Sequence, residues 1–288
     1  LVILIVILLS SRFSFAKLAR KGRKNKMAIL ERRDTGAIAH LHMNAPERLN
    51  ALSDEMLAAL QEQCDALLQD RTIRAVILSG EGKAFCAGHD LKQMTAARQN
   101  EDGGKAAFKD LFDRCARFMQ SLNKLPQPVI AQVHGIATAA GCQLVATCDM
   151  AVAAEGTRFG VNGVNIGLFC STPMVALSRN IPRKQAFEML TTGQFIDANR
   201  AQELGLVNRV VPVDQLESET RALAELIASK LGAAVKIGKE AFYNQIDLPL
   251  AEAYSYTGDV MVENMLHRDT EEGIAAFLEK RDPDWDQG

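Results

Sequence analysis

The sequence predicts an α/β fold, and three features carry that expectation. Between residues 73 and 212, short apolar runs rich in β-branched residues alternate with stretches of helical spacing, the pattern of strands joined by crossover helices. Within that region, residues 134–149 read His-Gly-Ile-Ala-Thr-Ala-Ala-Gly-Cys-Gln-Leu-Val-Ala-Thr-Cys-Asp, an apolar strand ending in a run of small residues that opens a helix. From Val213 onward the periodicity is helical without strands, so a helical unit should follow the α/β core. A chain of 288 residues suffices for one large core with a smaller appended unit.

Residues 1–9 are uniformly apolar and are followed by a basic cluster at 17–26. The apolar run is too short to cross a bilayer, and its charges come after it, where a secretory signal has them first. Residues 1–26 are therefore read as an N-terminal extension outside the fold, with Met27 the natural start. The alternative is a membrane-tethered form. Residues 28–43 alternate in polarity around Asp34-Thr-Gly36 and predict a β-hairpin. Ser53 is a good N-cap, with Asp54 and Glu55 in the first turn of a helix running to about Gln69. Ile73-Arg-Ala-Val-Ile-Leu-Ser79 is a strand.

Residues 95–105 are polar and contain glycine, which predicts a mobile segment; a helix over 106–122 then returns the chain to the next strand. That strand follows Leu125-Pro-Gln-Pro and should end near His134. The helix after the small residues starts near Ala139 or Ala140, and Met150-Ala-Val-Ala begins another strand. Pro173 suits the first turn of a helix, residues 181–192 and 198–204 are helical, and 206–212 form a closing strand.

Composition narrows the partners. The 33 Lys and Arg against 35 Asp and Glu leave a net charge of -2, which gives no reason to expect nucleic acid or an acidic surface. The six cysteines, at 64, 86, 115, 142, 148 and 170, form no Cys-x-x-Cys pair and sit mostly in apolar context. They predict a reducing compartment, taken as the cytoplasm, with no disulfide framework or zinc site. His40 and His42 share one strand face, but no carboxylate or cysteine joins them at ligand spacing, so no metal is expected. Gly80-Glu-Gly-Lys83 lacks both the Ser or Thr and the earlier glycine of a phosphate-binding P-loop.

A helix that starts after a strand and a tight turn aims unpaired N–H groups and the positive end of a dipole at whatever lies beside the turn. Where the flanking residues are small, a ligand approaches closely, and a carbonyl placed there can hold developing negative charge. A second segment is built alike: strand 73–79 runs into Gly80-Glu-Gly-Lys-Ala-Phe-Cys-Ala-Gly-His-Asp-Leu. Lys83-Ala-Phe-Cys-Ala-Gly-His-Asp-Leu and Gly141-Cys-Gln-Leu with Cys148-Asp149 together resemble the paired oxyanion-loop signatures of the crotonase superfamily, the enoyl-CoA hydratase/isomerase family. Within it, the chain resembles the hydratase-domain members that lack the catalytic glutamate pair. The resemblance covers residue 27 to the C-terminus. It implies a spiral of ββα units over 27–212, followed by a C-terminal helical oligomerisation domain over 213–288. It further implies a homotrimer or dimer of trimers acting on an acyl-CoA thioester, away from membranes, with no cofactor beyond the CoA moiety of the substrate.

By the same resemblance, the oxyanion donors are the backbone N–H groups of His89 and Ala140, the latter standing where many relatives carry Gly. The hydratases' two glutamates correspond to Gln143 and Gly163, neither of which exchanges a proton. Gln143 is left to position water through its amide. Ser171 stands where isomerases of dienoyl thioesters place an acid. Asn162, Asn165, Cys142, Cys170 and Thr172 lie close in sequence, but a nucleophilic Cys170 would need a neighbouring base that the sequence does not supply. Asp90 and Asp149 are expected to fix loops. The CoA moiety should pass residues 44–52, with its adenine beside Ala87, Gly88 and His89, and Arg48 and a neighbouring subunit's Lys280 near its phosphates. Two other functions fit this scaffold: a non-catalytic acyl-CoA-binding or regulatory protein, and an acyl-CoA thioester hydrolase or isomerase.

Overall fold

The computed structural model describes residues 28–286; the extension expected at 1–26 lies outside the described residues. The predicted hairpin forms from β1 (Leu30–Thr35) and β2 (Ile38–Met43), antiparallel with Thr35 opposite Ile38 and Gly36 turning at φ 57°. Helix α1 (Asp54–Gln69) starts where the sequence places it, the Ser53 hydroxyl accepting from the Met56 N–H at 3.2 Å. Strand β3 (Ala75–Gly80) is buried along its whole length, which is why it reads as an unbroken apolar run.

Helix α2 (Leu91–Ala97) occupies the first part of the segment expected to be mobile. Asp90 caps it, its carboxylate accepting from the Lys92 and Gln93 N–H groups, so the loop-fixing role expected of Asp90 is that of a helix cap. Helix α3 (Lys105–Lys124) follows, then β4 (Val129–Val133). The chain does not turn directly into a helix after His134. Gly135 bends it at φ 63°, with no room for a side chain because a Cβ there would lie 2.1 Å from the Lys83 carbonyl oxygen. A three-residue strand β5 (Ile136–Thr138) intervenes before α4 (Ala140–Thr147).

Strands β6 (Met150–Ala154) and β7 (Arg158–Gly160) lead to α5 (Ser171–Asn180) and α6 (Arg183–Thr192), then β8 (Ile196–Asp197), α7 (Ala198–Glu203) and β9 (Arg209–Val211). The main sheet runs β1-β2-β3-β4-β6-β9, parallel after the first pair, and a smaller sheet runs β5-β7-β8. This mixed α/β spiral, with helices closing the C-terminal part, is the fold class the sequence predicts.

The two faces of the main sheet bury different partners. One packs Leu41, Met43, Val76 and Leu78 against α1, α3 and α4 around Phe85, Phe118, Met56 and Leu144. The other packs Ile38, Ala75, Ile77, Ile130 and Val152 under Leu223 and Ala224 of α8 (Leu216–Ala228). Each fully buried Leu, Ile or Phe contributes about 1.5–3 kcal/mol, so the strand alternation alone commits both faces. Helix α9 (Gly232–Gln245) is pinned through Lys239, whose buried ammonium donates to Asp149 at 2.7 Å and to the Leu122 and Gln127 carbonyls at 2.9 Å. Tyr243 donates to the other Asp149 oxygen at 2.7 Å, and Asp149 also accepts from the Val129 N–H. Helices α10 (Leu250–Met265) and α11 (Arg268–Glu279) pack on each other and leave Leu250, Tyr254, Leu266, Phe277 and Leu278 exposed. Among the described residues no helix is long and apolar enough to cross a membrane, and no three metal-ligating side chains cluster.

Candidate active site

Two loops meet where β3 and β4 end. The loop over residues 80–90 is clipped from one side by Asn50, whose buried amide donates to the Glu81 and Ala84 carbonyls at 2.9 and 2.8 Å while its oxygen accepts from the Ala45 N–H. Asn50 and Leu49 both adopt left-handed angles, φ 51° and 52°. The adjoining segment is stapled by Ala87 N–H to Leu49 C=O and Leu52 N–H to Gly88 C=O. From the other side, the chain from His134 to Thr138 exchanges hydrogen bonds with Phe85 and Cys86: Phe85 N–H to His134 C=O, Cys86 N–H to Ile136 C=O and Thr138 N–H to Cys86 C=O.

The approach is as close as backbone permits. A Cβ on Gly141 would lie 2.0 Å from the Cys86 carbonyl oxygen. One on Gly88, itself at φ 90°, would lie 2.9 Å from the Ala139 methyl and 3.2 Å from the Ala140 nitrogen. The loop that carries His89 therefore abuts the nitrogen that opens α4. Neither the His89 nor the Ala140 N–H makes a backbone hydrogen bond among the described residues, and Gln143 N–H to Ala139 C=O is the first bond of the helix. Ala140 has ordinary helical geometry; the unusual angle falls one residue earlier, on Ala139 at φ 50° and ψ -119°. An alanine held there stores about 1–3 kcal/mol, and the Ala139 N–H, donating to the Gly160 carbonyl at 2.9 Å, helps hold it.

Gln143 lies one turn along α4 from Ala140. It is only 5% exposed, and its amide oxygen has no partner among the described residues. It lines a cavity of about 1240 Å³ between α3, α4, α5 and α9, with Met119, Asn123, Thr172, Val175 and Tyr243. His89 and Ala140 lie outside that lining, so Gln143 is the link between cavity and loops. Thr172 reaches the cavity and Ser171 does not: Ser171 is exposed, its hydroxyl 3.4 Å from the Phe169 carbonyl. Gly163 has no space for a side chain, because a Cβ would lie 2.3 Å from the Leu168 carbonyl oxygen and 2.8 Å from Cys170 Sγ. Asn162 accepts from the Thr138 hydroxyl at 2.6 Å, and Asn165 donates to the Gly193 carbonyl.

All six cysteines are free and buried. Burial pushes the thiols of Cys64, Cys86, Cys115 and Cys142 up to about 12 and raises those of Cys148 and Cys170, so none supplies a thiolate near neutrality. The His89 ring packs edge-on against Phe112, centroids 5.6 Å apart, with Nδ1 3.4 Å from the Leu52 carbonyl oxygen. Its Nε2 is buried without a partner among the described residues, and burial holds the imidazole below its ordinary pKa. Arg48 is half-exposed, 3.8 Å from Glu55 and 3.9 Å from Asp90. Lys280 is exposed at the end of α11, a helix that packs mainly on α10.

The pattern that defines enoyl-CoA hydratase/isomerase proteins matches residues 33–288. The chain belongs to the enoyl-CoA hydratase/isomerase family. Its relatives in the family include enoyl-CoA hydratase domain-containing protein 3, mitochondrial, of Xenopus laevis, 46% identical over 86% of this chain and 83% of the relative. The human protein of the same name is 43% identical over 96% of this chain and 90% of its own. Among solved structures of the family, an enoyl-CoA hydratase of Mycobacterium smegmatis superposes with a TM-score of 0.86 at 51% identity, over 90% of this chain and 99% of that one. The human domain-containing protein 3 superposes with a TM-score of 0.85 at 43% identity, over 89% and 100%. The vertebrate names overturn the cytoplasmic expectation. Free, buried cysteines fit a reducing interior, but such an interior is not confined to the cytoplasm.

Proposed function

We propose that this family member binds acyl-CoA thioesters and polarises the thioester carbonyl between the N–H groups of His89 and Ala140. The observation that carries the reading is the contact of Gly88 with the start of α4, which sets the loop bearing one free N–H against the other free N–H. A donor pair of this kind is worth about 3–4 kcal/mol per donor toward a developing enolate. Ala87, Gly88 and His89 border the CoA moiety, Arg48 approaches its phosphates, and Lys280 of a neighbouring subunit does the same. No cofactor beyond CoA is required. The acyl group enters the cavity lined by Gln143, where the amide positions water or substrate.

The activity is of the hydratase/isomerase type, a lyase of acyl-CoA and fatty acid metabolism, but weak as a hydratase, since Gln143 and Gly163 stand for the glutamates. A non-catalytic acyl-CoA binder is the second reading, favoured by the absence of space at Gly163; hydrolysis or isomerisation of the thioester is a third, in which Ser171 would have to turn inward. In this reading the division expected at Val213 separates the catalytic core from the helical part, whose first helix, α8, also covers one face of the main sheet. The apolar residues exposed on α10 and α11 cover one another in a homotrimer or dimer of trimers. The names of the vertebrate relatives support a mitochondrial location. The experiment is calorimetric titration with a panel of acyl-CoA thioesters, paired with the infrared carbonyl stretch of the bound thioester. Binding with a lowered stretch supports the reading, and binding with an unshifted stretch refutes the donor pair.

A further inference from the structure

We propose that His40, Ser79, His42 and Glu81 form a one-proton clasp between β2, β3 and the loop that carries His89: a proton taken up on acidification rests on His42 against Glu81, and His40 answers by changing tautomer. The clasp is independent of what the site binds. Strands β2 and β3 are parallel neighbours with His42 opposite Ser79, and Glu81 opens the loop two residues further on. His40 Nε2 and His42 Nδ1 both lie 2.7 Å from the Ser79 hydroxyl oxygen, and His42 Nε2 lies 3.0 Å from a Glu81 carboxylate oxygen. The Glu81 main chain is held as well, its N–H donating to the Met43 carbonyl and its own carbonyl accepting from Asn50, both at 2.9 Å. The cluster therefore sits at the root of the loop.

Counting donors fixes the hydrogens. An ionised carboxylate only accepts, so His42 Nε2 carries a hydrogen toward Glu81 in either state. With both rings neutral, His42 Nδ1 is then a lone pair. The Ser79 hydroxyl donates to it, and the Ser79 oxygen accepts from a hydrogen on His40 Nε2. When one proton is added at His42 Nδ1, that nitrogen becomes the donor to Ser79, and the hydroxyl hydrogen turns to His40. His40 meets it with a lone pair at Nε2, giving up the hydrogen there and taking one at Nδ1. One proton enters from solvent, and the His40 ring is neutral before and after.

The neighbours decide which ring charges. His42 meets Glu81 directly and has Glu31 opposite it on β1, whereas His40 has Arg33 opposite it. Glu31 is itself engaged by Arg33 and by the Asn44 amide. Burial is the first cause holding the His40 imidazole below its ordinary pKa, and a charge on His42 is the second; from α8, Glu217 opposes them and Arg221 adds to the repulsion, as does Arg33. A second proton is resisted for two reasons. Both rings would then aim N–H groups at the Ser79 oxygen, whose own hydrogen, on a residue only 2% exposed, would lose its acceptor. Two imidazoliums with ring centroids 5.9 Å apart would also repel each other. A charged His42 turns its hydrogen bond with Glu81 into an ion pair, so the root of the loop is tied more firmly to β2 as pH falls.

The test is a pH titration by NMR of the full chain labelled with 15N-histidine, in which the imidazole nitrogen shifts report both charge and tautomer. The chain has five histidines, and His40→Gln and His42→Gln assign the two signals that matter. The expected result is a single midpoint through which His42 becomes an imidazolium while His40 stays neutral and its hydrogen passes from Nε2 to Nδ1. Ser79→Ala should leave His42 titrating and abolish the His40 tautomer change at that midpoint, which a pair of merely structural histidines would not show. Glu81→Gln alters an exposed side chain and should lower the midpoint by about 0.2–0.7 pH unit, the worth of a surface ion pair. Charging of His40 ahead of His42, one His40 tautomer throughout the titration, a tautomer change that survives in Ser79→Ala, or an unmoved midpoint in Glu81→Gln overturns the proposal.

Discussion

Gly88→Ala tests the convergence of the two loops most directly. The native φ of 90° is one that alanine resists, a strain of about 1–3 kcal/mol. The new methyl would also meet the Ala139 methyl at 2.9 Å and the Thr138 oxygen at 3.2 Å, an overpacking of about 1–3 kcal/mol. The reduced entropy of the unfolded chain offsets about 0.4–1 kcal/mol of this. The net loss is about 1–6 kcal/mol, within what a domain of ordinary stability survives at its lower end. What gives way decides the functional outcome. The methyl would press on Ala139 and on the Ala140 nitrogen at the start of α4, so relief of the clash is expected to move the Ala140 N–H away from the His89 N–H. Losing one such donor costs about 10²–10³ in turnover. Urea unfolding measures the first quantity, and the carbonyl stretch of bound butyryl-CoA the second. A folded Gly88→Ala protein with the native stretch would show that these two N–H groups do not act together.

Gln143→Glu should raise hydration of crotonyl-CoA by about 10² or more, the worth of one general acid or base, measured by loss of the enoyl absorbance. Gly163→Glu, by contrast, should lower the melting temperature without adding activity, because its Cβ has no space beside the Leu168 carbonyl. Lys239→Met should cost about 3–5 kcal/mol in urea unfolding by leaving Asp149 buried without its cation, and adding Asp149→Asn should recover part of the loss. His40 and His89 both have pKa values lowered chiefly by burial, so the unfolded chain binds more protons. Their contribution to stability is therefore complete above the ordinary histidine value and is lost as pH falls through the folded ones. Urea midpoints should fall on acidification below about pH 6.5, and His40→Gln with His89→Gln should flatten that slope.

The legible parts of this fold are those where one local rule decides. Ser53 caps its helix, the apolar run of β3 lies between two buried faces, and the small residues around Gly141 allow Cys86 to approach. The rest depends on distant partners. Nothing in an alanine announces that Ala139 sits at φ 50°, since the angle is imposed by β5, by Gly160 and by the loop at Gly88. Lys239 reads as one more charge on an amphipathic helix until Asp149 is placed under it. Asp90 reads from sequence as a loop brace, and only the start of α2 beside it makes it a cap.

Gly163 shows the difference most sharply. From sequence it is the absence of a glutamate, which a single substitution would appear to restore. In the fold, the turn from Gly163 to Cys170 folds back so that the Leu168 carbonyl and the Cys170 sulfur take the volume a side chain would need. The same turn carries α5, whose Thr172 and Val175 wall the cavity beside Gln143. Restoring the carboxylate would thus displace the cavity wall it was meant to serve. Any proton transfer at this site must therefore come from another direction than the position of Gly163.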